Sequence, residues 1–473
     1  MSILQFLGVG IDLPDGPLFD DVDLTLDPGM RVALVGENGA GKTTLMRIAA
    51  SEVDPDRGSV ALRGRAGWLP QHLPEAPSAT DVPGSGGERQ RRRLEALFAE
   101  RPDVLLLDEP THHLDLEAAA WLEQRLRSTD VPILFVSHDR AFLDAVATHV
   151  GFLERGRFVL ESGGFEAATA RRAAEDAAQA RRHRSQSRKR AALESDFHRQ
   201  RSRALSAGTY DHRKADGQAA ILVKNKAETV SNRLARRAKA MQTRLQREEV
   251  IEKPWDDRRR LAFVATPATP GPSEVITAEG LVVRRGGRTI VNGLDLFVRR
   301  GDRVALVGPN GSGKSTLLAV LRGDLAPDEG TVRHGVGLQI GLADQAAEPW
   351  GDARTVGEVL FAVNPDVKHG DVWRVTASVG VPSAPDWPLA ELSGGEKRRL
   401  TLARISVANG HLLVLDEPTH HLDLRAVEAL EELLAGFPGT LVLATHDRRL
   451  VERVATRVWR FDAERGLDAA SVA

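Results

Sequence analysis

The sequence predicts an α/β protein with two tandem P-loop domains joined by a long α-helical hairpin, and three observations carry that prediction. A glycine-rich phosphate loop is written twice, as GENGAGKT at 36–43 and GPNGSGKS at 308–315. Each copy follows the apolar run RVALV, at 31–35 and again at 303–307, and opens a helix-forming stretch, at 42–50 and 314–321. Strand, glycine loop and helix together are the setting in which such a loop binds phosphate. Between the copies lies a basic, proline-free segment of good helix formers.

Each element follows from local pattern. Residues 3–9 and 18–26 read as strands leading into the first loop. The apolar runs 104–107 and 133–136 recur at 412–415 and 441–444, flanked by helical stretches, as in a covered, mostly parallel sheet. The stretches 165–205 and 218–253 are rich in Ala, Arg, Gln and Glu, with the second ended by Pro254. Their scarcity of apolar residues predicts long solvated helices, antiparallel about a turn at 206–217. TPATPGP at 266–272 is a linker. The boundaries expected are 1–162 for the first nucleotide-binding domain, 163–262 for the basic hairpin and 273–473 for the second domain.

Composition narrows the class. A chain of 473 residues needs more than one core. No apolar run approaches the roughly 18 residues of a membrane span, so membrane insertion is not expected. The amino terminus lacks the basic start and apolar stretch of a secretory signal, which makes the cytoplasm the expected compartment. Absence of cysteine excludes disulfides and thiolate metal sites. The net charge of -2 hides an asymmetry: residues 166–253 hold about 22 Lys and Arg against about 11 Asp and Glu. Such a segment suits an anionic partner.

The chemistry begins at the loops. Gly36, Asn38, Gly39, Gly41, Lys42, Thr43 and Thr44, and their counterparts Gly308, Asn310, Gly311, Gly313, Lys314, Ser315 and Thr316, are placed to cradle nucleotide phosphates. Backbone N–H groups and a helix N-terminus do the cradling, and the lysine reaches the terminal phosphates. The Thr43 and Ser315 hydroxyls are expected on Mg²⁺. The runs LLLDEP at 105–110 and LVLDEP at 413–418 end strands in paired acids: Asp108 and Asp416 for the metal, Glu109 and Glu417 to polarise the attacking water. His138 and His446, in SHD and THD after apolar runs, are candidates to touch a γ-phosphate. Ser85, Gly86 and Gly87, and Ser393, Gly394 and Gly395, each precede an Arg-rich helix and offer a second phosphate contact. The adjacent pairs His112-His113 and His420-His421 point in different directions and lack a third ligand at suitable spacing, which argues against zinc.

The order P-loop, Gln, SGGE, LLLDEP, HLD, SHD or THD resembles the ATPase cassette of ABC proteins, over nearly all of 1–162 and 273–473. Two ABC-type cassettes, no membrane segment and a charged helical linker resemble the ABC-F family. The resemblance implies a monomer whose cassettes pair intramolecularly, head to tail, with two ATP molecules and Mg²⁺ between them. One site would join Lys42, Thr43, Asp108, Glu109 and His138 to Ser393 and Gly395. The other would join Lys314, Ser315, Asp416, Glu417 and His446 to Ser85 and Gly87. Gln71 and Gln345 match the glutamines that touch Mg²⁺ or water. The resemblance further implies ATP hydrolysis on the ribosome, with the hairpin reaching rRNA, P-site tRNA and the peptidyl-transferase centre, and Tyr210, His212, Arg213 and Lys214 deepest. Protection from antibiotics is the expected role. General translation control, an ATPase subunit of a separate membrane exporter and a DNA-binding ATPase are the alternatives.

Four features depart from the family pattern. Gln71 to Ser85 spans 14 positions where Gln345 to Ser393 spans 48, so the first cassette is expected to lack most of its helical subdomain. Gly84 stands where Leu is usual before Ser85, and Leu13 and Arg285 stand where an aromatic usually stacks on adenine. His112 and His420 replace the usual Asn.

Overall fold

The computed structural model describes residues 3–14, 16–71, 86–112, 114–208, 271–286, 288–343, 350, 353–382, 384–419, 422–462 and 466–468, with 229, 232, 233, 236, 239 and 240 besides. Contacts divide the chain into two units, Met1–Ala168 with Arg259–Ala473, and Thr169–Arg258.

The first half of the larger unit opens with β1 (Leu4–Leu13), β2 (Gly16–Leu26), β3 (Arg31–Val35), α1 (Lys42–Ala49), β4 (Arg57–Leu62) and β5 (Ala66–Leu69). It continues through α2 (Gly86–Ala99), β6 (Val104–Asp108), α3 (Leu116–Arg127), β7 (Ile133–Val136), α4 (Arg140–Val146), β8 (His149–Glu154) and β9 (Arg157–Ser162). The central sheet has the order β5-β6-β7-β3-β8-β9, parallel except for β9. All five residues of β6 and all four of β7 are buried. That is why these strands are short, continuously apolar runs with no alternation. A second sheet, β2-β1-β4, is antiparallel. Helix α1 lies between the sheets, its Leu45, Met46 and Ile48 in one core cluster with Phe6, Phe19, Leu34 and Leu106. The P-loop is therefore anchored to both sheets by the helix that it starts.

After helix α5 (Phe165–Gly208), the second half repeats the scheme. It runs β10 (Glu274–Arg285), β11 (Arg288–Arg299), β12 (Arg303–Val307), α6 (Lys314–Arg322), β13 (Glu329–His334) and β14 (Ile340–Ala343). Then come α7 (Val356–Val363), α8 (His369–Val379), a 3₁₀ turn (Leu389–Glu391), α9 (Gly394–Val407), β15 (Leu412–Asp416), α10 (Leu424–Ala435), β16 (Thr440–Ala444), α11 (Arg448–Val454), β17 (Arg457–Asp462) and β18 (Gly466–Asp468). The sheets are β14-β15-β16-β12-β17-β18 and β11-β10-β13. Helices α7 and α8 bury Val356, Leu360, Val372 and Val375 in one cluster with Leu400, Ala403 and Val407 of α9. The first half has no counterpart of α7 and α8 among the described residues.

The structure differs from the sequence reading in detail. Strands expected at 3–9 and 18–26 extend to Leu4–Leu13 and Gly16–Leu26. Register shifts between Phe6 and Val9, with Gly8 at φ 57° and Asp21 at φ 55°, let the ladder continue past the point where alternation fails. The edge strands β4 and β13 carry too little apolar patterning to be read beforehand: β4 has no buried residue.

In the smaller unit, α5 continues unbroken to Gly208, past the turn expected from 206, because Ser206 and Ala207 permit helix. Its 44 residues span about 65 Å at about 1.5 Å each. It carries ion pairs along its own surface, such as Arg190–Glu194 at 3.2 Å. The second expected arm, 218–253, apart from those six positions, and the apex residues Tyr210, His212, Arg213 and Lys214 lie outside the described residues. No described helix is long and apolar enough to cross a membrane.

Phe135 is fully buried and meets Phe142 edge-on at 5.6 Å between ring centres. Phe135→Ala should lower the unfolding free energy by about 3–5 kcal/mol, read from denaturant titration by far-ultraviolet dichroism.

Candidate nucleotide sites at the cassette interface

The two P-loops have nearly the same backbone. Gly39 and Gly41 take φ 84° and 97°, and Gly311 and Gly313 take 74° and 103°. These left-handed values are the reason for glycine here. A Cβ on Gly41 would also sit 2.7 Å from the Phe19 ring, and one on Gly313 would collide with Ile290. Lys42 Nζ donates to the carbonyls of Gly36 (2.7 Å) and Glu37 (2.9 Å). Lys314 Nζ donates to Gly308 (3.0 Å) and Pro309 (3.1 Å), with His446 Nε2 at 3.0 Å. Both lysines are buried, and burial pulls both ammonium groups below their usual pKa.

Carboxylates oppose that pull, and they come from both halves. Glu109, Asp423, Asp108 and Glu37 favour the charged form of Lys42, whereas Glu417, Asp416 and Asp115 favour that of Lys314. Asp423 acts on the first loop and Asp115 on the second, so each cassette lends an acid to the other's lysine. Each of these aspartates also caps its own helix, accepting from Ala118 N or Ala426 N at 2.9 Å. The neighbouring leucines are exchanged as well: Leu424 belongs to the first cassette's core cluster, and Leu116 packs against the second's.

Glu109 and Glu417 sit at φ 51° and 44°, left-handed for a residue with a side chain. Holding each there costs about 1–3 kcal/mol. Burial raises both pKa values to about 7. A carboxylate of that basicity can take a proton from water near neutral pH. Each glutamate meets the strand-end histidine of its own half: His138 Nε2 is 3.3 Å from Glu109, and His446 Nε2 is 3.2 Å from Glu417. Asp108 is raised to about 6 by burial, opposed by a hydrogen bond from Thr43. Asp108 Oδ2 and Asp416 Oδ1 are buried without a hydrogen-bond partner. This donor set fits a divalent cation. No group of three or more His, Asp or Glu among the described residues forms a metal cage. A cation here therefore needs phosphate oxygens and water as its other ligands, which is how Mg²⁺ is usually held.

A cavity of about 380 Å³ lies between the cassettes. Gln71, Gly86, Gly87, Glu109 and His138 line it from the first, and Asn310, Gly311, Glu417 and His446 from the second. The structure thus brings Gly86 and Gly87 to the same cavity as the second P-loop. Ser393, Gly394 and Gly395 do not line it; Ser393 instead caps α9 in a reciprocal box with Glu396. Ser315 is exposed, and Thr44 and Thr316 are half-buried at the helix starts. Ser85 and Gln345 lie outside the described residues, as does His420, whereas His112 lines the cavity. Leu13 and Arg285 stand exposed at the ends of β1 and β10.

The interface is held by ion pairs that motif reading did not pick out. Arg140, the first residue of α4, pairs with the fully buried Glu431 of α10, which also accepts from Arg453 at 3.1 Å. Its counterpart Arg448 pairs with Glu123 at 3.2 Å and donates to the Leu116 carbonyl at 3.1 Å. Arg425, two residues past Asp423, bridges Glu37 (2.6 Å) and Glu154 (2.9 Å). The one sequence signal was repetition: HLD at 113–115 and 421–423, and Arg after SHD and THD, recur at equal offsets.

Twofold repetition of P-loop, strand-end acids and histidine, closed on itself across one interface, defines a pair of ABC-type ATP-binding cassettes. Residues 19–80 and 291–420 match the ABC transporter family. The chain is 35% identical to the ATP-binding protein Uup of Caulobacter vibrioides, over 97% of this chain and 77% of that one. It is 33% identical to the tylosin resistance ATP-binding protein TlrC of Streptomyces fradiae, over 96% of each. It is 30% identical to the energy-dependent translational throttle protein EttA of Mycobacterium tuberculosis, over 95% of this chain and 89% of that one. The structure of the archaeal ribosome recycling factor aABCE1, solved with the stalk protein aP1, shares the fold at TM-score 0.60 and 18% identity, covering 97% of this chain and 88% of that one. The chain belongs to the ABC-F family.

Three outcomes are expected from these contacts. The double variant Lys42→Ala/Lys314→Ala should lose at least about 99% of phosphate release from ATP, since the buried ammonium group is gone from both loops. Arg140→Ala should destabilise the protein by about 3 kcal/mol in urea melts, because it leaves part of a buried carboxylate uncompensated. Arg448→Ala should cost less, since Glu123 is less buried than Glu431.

Proposed function

We propose that the chain is a cytoplasmic ATPase that binds the ribosome, closing its cassettes on two ATP·Mg²⁺ and letting go after hydrolysis. The observation that carries this reading is the cavity shared by Gly86 and Gly87 of one cassette and Asn310, Gly311, Glu417 and His446 of the other. A nucleotide seated there touches both halves, so it binds the closed state more tightly than the open one, which is the condition for driving closure. In this reading Glu109 and Glu417 activate water, Asp108, Thr43 and Gln71 hold Mg²⁺ in one site, and Asp416, Ser315 and Gln345 hold it in the other. His138 and His446 face the γ-phosphate. Ser393 and Gly395 complete the first site when the cassettes draw closer, as Ser85 and Gly87 complete the second.

The ribosome enters through family and charge. One relative is named for throttling translation and another for tylosin resistance. The basic segment 163–262, proposed as the interdomain linker, is suited to rRNA and P-site tRNA phosphates near the peptidyl-transferase centre. Its first helix, about 65 Å long, favours protection of that centre from antibiotics over general translation control. A membrane exporter's ATPase subunit has no use for such a basic rod.

The test is sedimentation. With ATP, the Glu109→Gln/Glu417→Gln protein should pellet with 70S or 50S particles, and cells making wild-type protein should gain resistance to at least one drug of the peptidyl-transferase region. Exchange of 210–214 for a Gly/Ser turn should abolish the resistance while leaving basal ATP turnover within about twofold. A trapped protein that stays in the supernatant at low salt would refute the ribosome reading.

A further inference from the structure

Among the described residues the first cassette has no counterpart of α7 and α8, and the surface of α2 differs accordingly from that of α9. Aligning Gly86-Gly87 with Gly394-Gly395 sets α2 against α9, so that Arg92 matches Leu400, Glu95 matches Ala403 and Ala99 matches Val407. In the second cassette those three positions are buried under α7 and α8. In the first, Arg92, Glu95 and Ala99 are exposed. An uncovered apolar face would aggregate; here it has been rewritten as polar. Helix α2 is held to its sheet from the opposite side, by buried Leu94 and half-buried Leu97 and Phe98.

The replacement is not merely polar. Arg89, Arg92 and Arg93 are all exposed, and their spacing of three and four residues lines them up on one face. Glu95 lies three residues past Arg92, and it is engaged by Arg91, at 3.0 Å. Arg91 itself lies over the Trp121 ring, at 5.0 Å. Glu88 is the remaining acid of the helix, one turn N-terminal of Arg92. A solvating surface on a chain of net charge -2 does not call for three clustered cations. Guanidinium groups at this spacing match successive phosphates of a nucleic-acid backbone, which Arg grips through forked hydrogen bonds.

We propose that Arg89, Arg92 and Arg93 form a second RNA-binding surface, which grips the phosphodiester backbone of ribosomal RNA beside the face that the second cassette covers with α7 and α8; Arg92 itself holds one of the covered positions, while Arg89 and Arg93 match the half-buried Lys397 and Thr401. The surface is built on the helix that begins at Gly86 and Gly87, beside the nucleotide cavity. The choice of ribosomal RNA rests on the ribosome-binding reading above; the phosphate chemistry does not.

The test compares three full-length proteins in the Glu109→Gln/Glu417→Gln background: unchanged, Arg89→Glu/Arg92→Glu/Arg93→Glu, and the same three positions changed to Lys. Each is titrated with ATP against 50S particles, and separately against protein-free large-subunit rRNA, over a salt series. Charge reversal should weaken both interactions about tenfold or more and flatten the log–log salt dependence by about two to three. The Lys protein should retain most of the binding. Wild-type catalytic sites carrying the reversal should keep ATP turnover, which shows that the fold survives. Equal binding by the reversed and unchanged proteins overturns the surface, as does photo-crosslinking from position 92 into a ribosomal protein in place of RNA. If the unchanged protein ignores 50S particles yet loses rRNA affinity on reversal, the RNA surface stands and the ribosome reading falls.

Discussion

Everything in the larger unit depends on two ammonium groups that the fold buries. Lys42 and Lys314 are taken out of water by the loops that surround them, and a buried cation is tolerated only where anions surround it. One cassette alone provides Glu and Asp at its strand ends, and the other adds Asp423 or Asp115 from across the interface. Each loop lysine draws part of its electrostatic support from the neighbouring cassette. The interface is then reinforced by exchanged leucines and by buried Arg–Glu pairs that leave little freedom to part without exposing charge and apolar surface together.

The halves are related but not equivalent. Arg425 reaches the first P-loop through Glu37, whereas the matching positions in the opposite direction are Glu117 and Pro309. No reciprocal ion pair is possible from those residues. The pair is half-exposed, so its worth is within about 1 kcal/mol. A free energy of that size corresponds to at most about fivefold in an equilibrium constant. Among the described residues only the second half carries α7 and α8, which adds a second asymmetry: Leu400, Ala403 and Val407 are buried beneath them, whereas the matching Arg92, Glu95 and Ala99 are exposed.

Much of this was legible in the residues. The P-loops, the strand-end acids and the strands beneath them announce themselves because backbone geometry demands glycine at fixed places and burial demands unbroken apolar runs. The short span from Gln71 to Ser85 carried the expectation of a reduced helical subdomain by simple length, and the described residues hold no counterpart of α7 and α8 in the first half. What could not be read were pairings between distant positions. Arg140 and Glu431 are ordinary surface types in a linear string, and only the approach of α4 to α10 makes them a buried pair. Asp115 and Asp423 cap helices and reach the opposite lysine, and that reach could not be read because it depends on how two folded halves meet. Bulges at Gly8 and Asp21 blurred the strand period and hid the full length of β1 and β2.

The left-handed backbone of Glu109 and Glu417 has one more meaning. Glycine would sit there more comfortably than any residue with a side chain, so conformation alone selects against a glutamate in both halves. The chain carries that unfavourable shape twice for the sake of a carboxylate aimed at one point. Relaxing either turn gains stability only by giving up aim, and a protein improved for heat tolerance by that route becomes a better-folded but poorer machine.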